Sequence, residues 1–146
     1  MKVRDIMTKN VAYVGPSTPV VEAARLMQKH NVGSVPVMDD KGVAGIITDR
    51  DIAVRCVAHG KSPQDTPVSD VMTTHVITVT PDMNMDEVTE IMSAKQIRRV
   101  PVVENNKIVG IVALGDVAVN PRYDIEASDA LAEISKPSRP ENMQAN

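Results

Sequence analysis

Shifted by 65 residues against itself, the chain aligns Asp5–Val54 with Asp70–Val119 without a gap, and 16 of the 50 pairs are identical. Asp5-Ile6-Met7-Thr8 returns as Asp70-Val71-Met72-Thr73, Val35-Pro36-Val37 as Val100-Pro101-Val102, and Gly45-Ile46 as Gly110-Ile111. An ungapped match of this length means that one supersecondary unit is built twice, so any fold for the chain must contain the same block two times. At 146 residues the chain has room for one ordinary domain or two very small ones.

The elements of each copy follow from periodicity. Val20, Ala23, Ala24 and Met27 fall on one face of an amphipathic helix, and Thr18-Pro19 suits its start, with Thr as N-cap and Pro in the first turn. Met85, Val88 and Met92 repeat that face, with Asn84 and Glu87 spaced as a capping box. Gly33 is the expected stop of the first helix. Val35–Met38 and Val43–Ile47 then flank the turn residues 39–42 and predict a hairpin, repeated around residues 104–107. Pro36 and Pro101 must sit where the ladder needs no donor. Short strands at Val11–Val14 and Val76–Val79 open each unit, and a second helix begins near Thr48 and again near Gly115. The order is β-α-β-β-α, twice, an α+β fold. The expected boundaries are 1–58 for the first unit, 59–69 for a linker rich in Gly, Pro, Ser and Asp, and 70–119 for the second unit. The remainder, 120–146, holds a short helix with Ala127, Ala130, Leu131 and Ile134 on one face, then a polar, frayed tail from 136 onward.

Composition supports sheet and narrows the function. The chain has no Phe and no Trp, but 23 Val and 11 Ile. Such β-branched residues favour strands. The formal net charge is −3, the 16 Lys and Arg are scattered, and only two Tyr could stack on bases, so a nucleic-acid partner is not expected. A single Cys56 cannot form an internal disulfide, and His30, His59 and His75 stand apart, so no metal site is expected. No apolar run has the length of a membrane span, and the first residues lead into no apolar signal core; a cytoplasmic location is the expectation.

Chemistry concentrates in Gly45-Ile46-Ile47-Thr48-Asp49-Arg50-Asp51, a strand running straight into a helix. Gly45 permits close approach of a ligand. Thr48 offers a hydroxyl at a helix start that favours anions, and Asp51 can accept from two vicinal hydroxyls, as a ribose presents them. Those same residues have a purely local reading: Thr48-x-x-Asp51 is also a capping box, and Gly45 also suits packing.

A tandem unit with Asp-Ile-Met-Thr near its start, an apolar-Pro-Val strand and Gly-Ile-Ile-Thr-Asp-Arg-Asp resembles a pair of cystathionine-β-synthase (CBS) domains, over about residues 4–119. The resemblance implies two units packed through their sheets about a pseudo-two-fold axis, with two related clefts. It implies ligands of the adenosyl type in those clefts: AMP, ADP, ATP, S-adenosylmethionine or NAD-type molecules. By the same token Thr48 would meet phosphate or ribose and Asp51 the ribose hydroxyls, with Asp49 between them in the motif. Ala12, Val35 and Pro36 would line the base. It also implies a disc-shaped homodimer and an output through some effector protein.

The second copy departs from this motif. Gly110-Ile111-Val112-Ala113-Leu114-Gly115-Asp116 keeps the ribose-type Asp116 but has Ala113 in place of Thr48. Losing one hydroxyl should favour the Asp51 site by about 0.5–1.5 kcal/mol. Arg98 and Arg99 replace Gly33 and Ser34, and their guanidiniums suit phosphate; as neighbours on a strand they point to opposite sides, so one of them also suits plain solvent exposure. Arg50 and Arg55 are expected to pair with Asp49 or Asp51, and Cys56, Met7, Met27, Met72 and Met92 to pack. No nucleophile-base set or isolated carboxylate pair suggests an enzyme, and no cofactor is required. Two classes remain: a regulatory module that binds an adenosyl compound, and a structural or interaction module with empty clefts.

Overall fold

The structure is a computed structural model and describes residues 1–118 and 124–135. The stretch 136–146, with the tail expected there, and the side chain of Ala127 lie outside the described residues.

Helix α1 covers Val3–Ile6, α2 Val20–His30 and α3 Asp49–Asp51, continued by a π-type helix over Ile52–Val57; α4 covers Met85–Lys95, α5 Leu114–Ala118 and α6 Asp124–Ile134. Strands β1 (Ser34–Asp39) and β2 (Gly42–Thr48) form one antiparallel hairpin, β3 (Arg99–Glu104) and β4 (Lys107–Ala113) the other. Both copies therefore carry the expected helix, hairpin and second helix. The opening strands are reduced to single bridges, Val14 to Val37 and Val79 to Val102, because only one residue of each segment reaches the hairpin ladder.

Two compact units form. One gathers Asn10–Thr78 with the hairpin tip Val103–Val109; the other gathers Met1–Lys9, Val79–Val102 and the chain from Gly110 on. Sequence repeat and packed unit are thus different divisions of the same chain. In the first unit Thr73 bridges Ile46 on the free edge of β2, and in the second Thr8 bridges Ile111 on the free edge of β4. Ile46, opposite Pro36 in the hairpin, turns both its N–H and its C=O to Thr73, so the missing proline donor leaves no gap.

The helix caps differ from the simplest sequence reading. Thr18 does not cap α2: its hydroxyl accepts from Gly15 N–H in a turn, and the first free amides of α2, at Val20 and Val21, donate instead to the carbonyls of Thr66 and Pro63. The stretch between the copies thereby satisfies orphan donors of the helix rather than hanging as a tether. Asn84 does cap α4, accepting from Asp86 N–H at 3.3 Å, but its own N–H is not taken by the Glu87 carboxylate in return. The stop of α2 is Asn31 at φ 53, not Gly33; Gln96 does the same for α4 at φ 55. Asparagine is tolerated in this left-handed conformation, so a glycine is not needed.

The core is aliphatic. In the first unit Val14, Val20, Ala23, Met27, Val35, Val37, Ile47, Cys56, Val68 and Val71 form one cluster. In the second, Met85, Val88 and Met92 of α4 are fully buried together with Val3, Val100, Val102 and Val112. On α6, Ala130 is buried while Leu131, expected on the same face, is exposed.

Candidate functional site

The strand β2 delivers Thr48 to the start of α3 in extended conformation, and the two side chains of the motif close on each other. Thr48 Oγ1 accepts from Asp51 N–H at 3.0 Å, and Asp51 Oδ2 accepts from Thr48 N–H at 3.0 Å, a complete capping box. Asp51 is nearly buried, at 7% exposure. The Thr73 hydroxyl donates to its two oxygens at 3.3 and 3.2 Å, and Arg55 Nε stands 3.8 Å from Oδ1. Arg55 Nη1 donates to the carbonyls of Met72 and Val71, at 3.1 and 3.4 Å.

The local reading of the motif is thus built in full. Whether it also serves a ligand turns on capacity. A carboxylate offers about four acceptor sites; Asp51 Oδ1 receives one hydroxyl bond and a distant guanidinium, and the Thr48 hydroxyl accepts but leaves its own proton to donate. Asp49 holds its Oδ1 on Arg50 N–H, while its own N–H donates to Gly33 O.

Gly45 is required by packing inside the unit. A Cβ there would stand 2.6 Å from the Thr73 carbonyl oxygen and 2.8 Å from Met72 Sδ. The close approach read from the sequence is therefore made by the Met72-Thr73 segment. Gly110 stands in the same relation to Thr8 and Met7. Val35 is buried in the core cluster and paired with Ile47 in the hairpin. Pro36 is buried, its carbonyl taking Val14 N–H, and Ala12 is half-buried two residues upstream of that bond. Ser34, which the motif did not single out, lies opposite Thr48 in the hairpin register and holds a buried hydroxyl with no hydrogen-bond partner. Thr73 was missed as well; its recurrence with Thr8 in the Asp-x-Met-Thr repeat was the available signal.

The second junction is plainer. Asp116 is half-buried and accepts from Ala113 N–H at 3.1 Å. Ala113 has no hydroxyl to return the bond, and no bond joins Thr8 to Asp116 among the described residues. Arg98 and Arg99 are both exposed; the Arg98 carbonyl takes Leu114 N–H, as Gly33 takes that of Asp49. A cavity of about 870 Å³ opens beside Tyr13, Asp39, Asp40, Asn105 and Asn106, and none of the motif residues lines it.

Among the described residues no group of three or more His, Cys, Asp or Glu is placed to hold a metal ion, and no helix is long and apolar enough to cross a membrane. The CBS domain family model matches residues 3–57 and 68–120. The CBS domain-containing protein YhcV of Bacillus subtilis is 47% identical over 133 residues, 91% of this chain and 94% of that protein. Among solved structures, Hypoxic Response Protein I with two coordinated zinc ions is similar at a TM-score of 0.75 and 32% identity, covering 82% of this chain and 98% of that one. The CBS domain pair of protein MJ0100, in complex with 5′-methylthioadenosine and S-adenosyl-L-methionine, is similar at a TM-score of 0.71 and 34% identity, covering 81% of this chain and 93% of that one.

Proposed function

The chain belongs to the CBS domain family, as a tandem CBS pair of α+β fold, and on that footing we propose that it is a regulatory module, without catalysis of its own, that binds an adenosyl compound at the Thr48–Asp51 junction. Ligand candidates are AMP, ADP, ATP, S-adenosylmethionine and NAD-type molecules. The observation that carries the reading is Asp51: a nearly buried carboxylate, held by the Thr73 hydroxyl and the Thr48 amide, with acceptor capacity left on Oδ1. The complex of the MJ0100 pair with two adenosyl compounds supports the ligand class. Binding would reweight the conformations the junction adopts, and the signal would pass through a protein contact, within a homodimer or to an effector.

A second reading has its own support. Thr48 and Asp51 cap each other completely, so the motif has a structural reason to exist without any ligand. On that reading the chain is a dimerisation or interaction module.

A thermal-shift screen with AMP, ADP, ATP, S-adenosylmethionine and NADH separates the two. A ligand at 100 times its Kd stabilises by about 2.7 kcal/mol, which raises the melting temperature by several degrees. A rise with at least one compound is expected; no rise with any of them at millimolar concentration favours the interaction module.

A further inference from the structure

We infer that the first junction takes an adenosyl compound carrying no phosphate at its 5′ position, with the Ser34 hydroxyl as one of its hydrogen-bond partners; this rests on the function proposed above and narrows its ligand class. The starting point is an unspent group. Ser34 is 93% buried by its 7% exposure, and its Oγ has no partner. Buried hydroxyls are almost always bonded, so an orphan one calls for an explanation. Ser34 and Thr48 are direct partners across β1 and β2, which puts their side chains on one face of the hairpin, at the end where α3 begins.

A helix start ordinarily favours anions through its free amides. Here those amides are already engaged. Asp49 N–H donates to Gly33 O, Arg50 N–H to Asp49 Oδ1, Asp51 N–H to Thr48 Oγ1 and Ile52 N–H to Asp49 O. The protein's own carboxylates, Asp49 and Asp51, occupy the positive end of the helix. Asp49 Oδ2 lies 3.0 Å from where a Cβ would stand on Gly33, so this charge sits beside the residue that precedes Ser34. Arg55 points its Nη donor at the Val71 and Met72 carbonyls, and Arg50 is exposed. A phosphate entering here meets two carboxylates and no spare amide of the helix start. A neutral thioether or hydroxyl, or a cationic sulfonium, meets hydroxyl groups and a favourable charge. The second copy inverts this chemistry: Arg99 stands at the position of Ser34 and Arg98 at that of Gly33.

The test is a titration of the intact chain followed by ¹⁵N amide shifts, which report each junction separately: Ser34 and Thr48 for the first, Arg99 and Ala113 for the second. The probes are 5′-methylthioadenosine, S-adenosylmethionine and AMP. The two phosphate-free compounds are expected to fill the first junction at least about tenfold more tightly than AMP, the scale of one charge-assisted bond gained or lost. Ser34→Ala is expected to weaken 5′-methylthioadenosine there about five- to tenfold, with no fall in melting temperature, since the hydroxyl bonds nothing in the free protein. AMP binding the first junction as tightly as 5′-methylthioadenosine, or Ser34→Ala binding as the parent does, overturns this inference and leaves the proposed function standing. Absence of shifts at both junctions with all three probes overturns the two together.

Discussion

The two strand-to-helix junctions are the same sentence written with different side chains. Both are closed from the outside by an Asp-x-Met-Thr segment lying over a glycine, Met72-Thr73 over Gly45 and Met7-Thr8 over Gly110. Both place an aspartate at the third helical position that reaches back to the preceding amide. Beyond that they part. The first adds a returning hydroxyl at Thr48, a second one at Thr73 and a third, unspent, at Ser34, and it buries its carboxylate. The second has Ala113, leaves Asp116 half-buried and carries exposed Arg98 and Arg99 where the first has Gly33 and Ser34. The shared glycines and back-reaching aspartates account for packing and capping; the Thr48 and Ser34 hydroxyls and the burial of Asp51 among its partners, found in one copy, are the candidates for recognition.

Packing should fail alike in both. Gly45→Ala and Gly110→Ala each force a Cβ to within 2.6 or 2.8 Å of a backbone oxygen, and each should cost about 2–3 kcal/mol in urea unfolding, the upper range of overpacking. A mild effect at either glycine breaks the equivalence. Recognition should fail unequally. Asp51→Ala should weaken binding of whichever adenosyl compound the screen finds by about 1.5–3 kcal/mol, because a charged acceptor is removed. Asp116→Ala should leave that binding close to the parent value; the reverse order in calorimetry would move the site to the second copy. Capping lies between these cases. Thr48→Ala should lose about 1 kcal/mol of stability through the missing N-cap, and Ala113→Thr should recover part of that amount at the second junction. Equal stability of Thr48→Ala and the parent would mean that the hydroxyl does not cap in solution.

The smallest expected effect concerns an asymmetry far from the junctions. Arg4 and Asp82 pair in the second unit, and the Arg4 guanidinium, through its hydrogen bond and its charge, holds the Asp82 carboxyl below its ordinary 3.8. Because the folded value is the lower one, this stabilisation is present above pH 3.8 and is lost as pH falls below it. Arg4→Ala should return the Asp82 titration, followed by carboxyl NMR, toward 3.8. The equivalent positions in the first copy are Ser69 and Ser17, so no such acid-sensitive pair exists there.

Much of this was legible in the chain. The repeat gave two equal hairpins and two amphipathic helices, since Val-rich alternation and an i, i+3, i+7 pattern each have one economical solution. What stayed hidden depends on contacts between distant residues. Thr18 looks like a cap because local spacing cannot reveal that Thr66 and Pro63 supply the carbonyls. Leu131 looks buried because a face count does not show how much of the apolar stripe a neighbour covers, and here Ala130 is buried and Leu131 is not. At the junction the motif gave Thr48 and Asp51, while Thr73 enters from 22 residues away and Ser34 only through hairpin register. Gly45 was legible as a close approach, but the approaching group proved to be the chain itself.

The most direct measurement is a crystal structure of the protein grown with 5′-methylthioadenosine. The ribose hydroxyls are expected within hydrogen-bond distance of the Asp51 carboxylate in the first copy. A ligand held only beside Arg98 and Arg99, or a clear map in which Asp51 meets nothing but Thr48, Thr73 and Arg55, would contradict it.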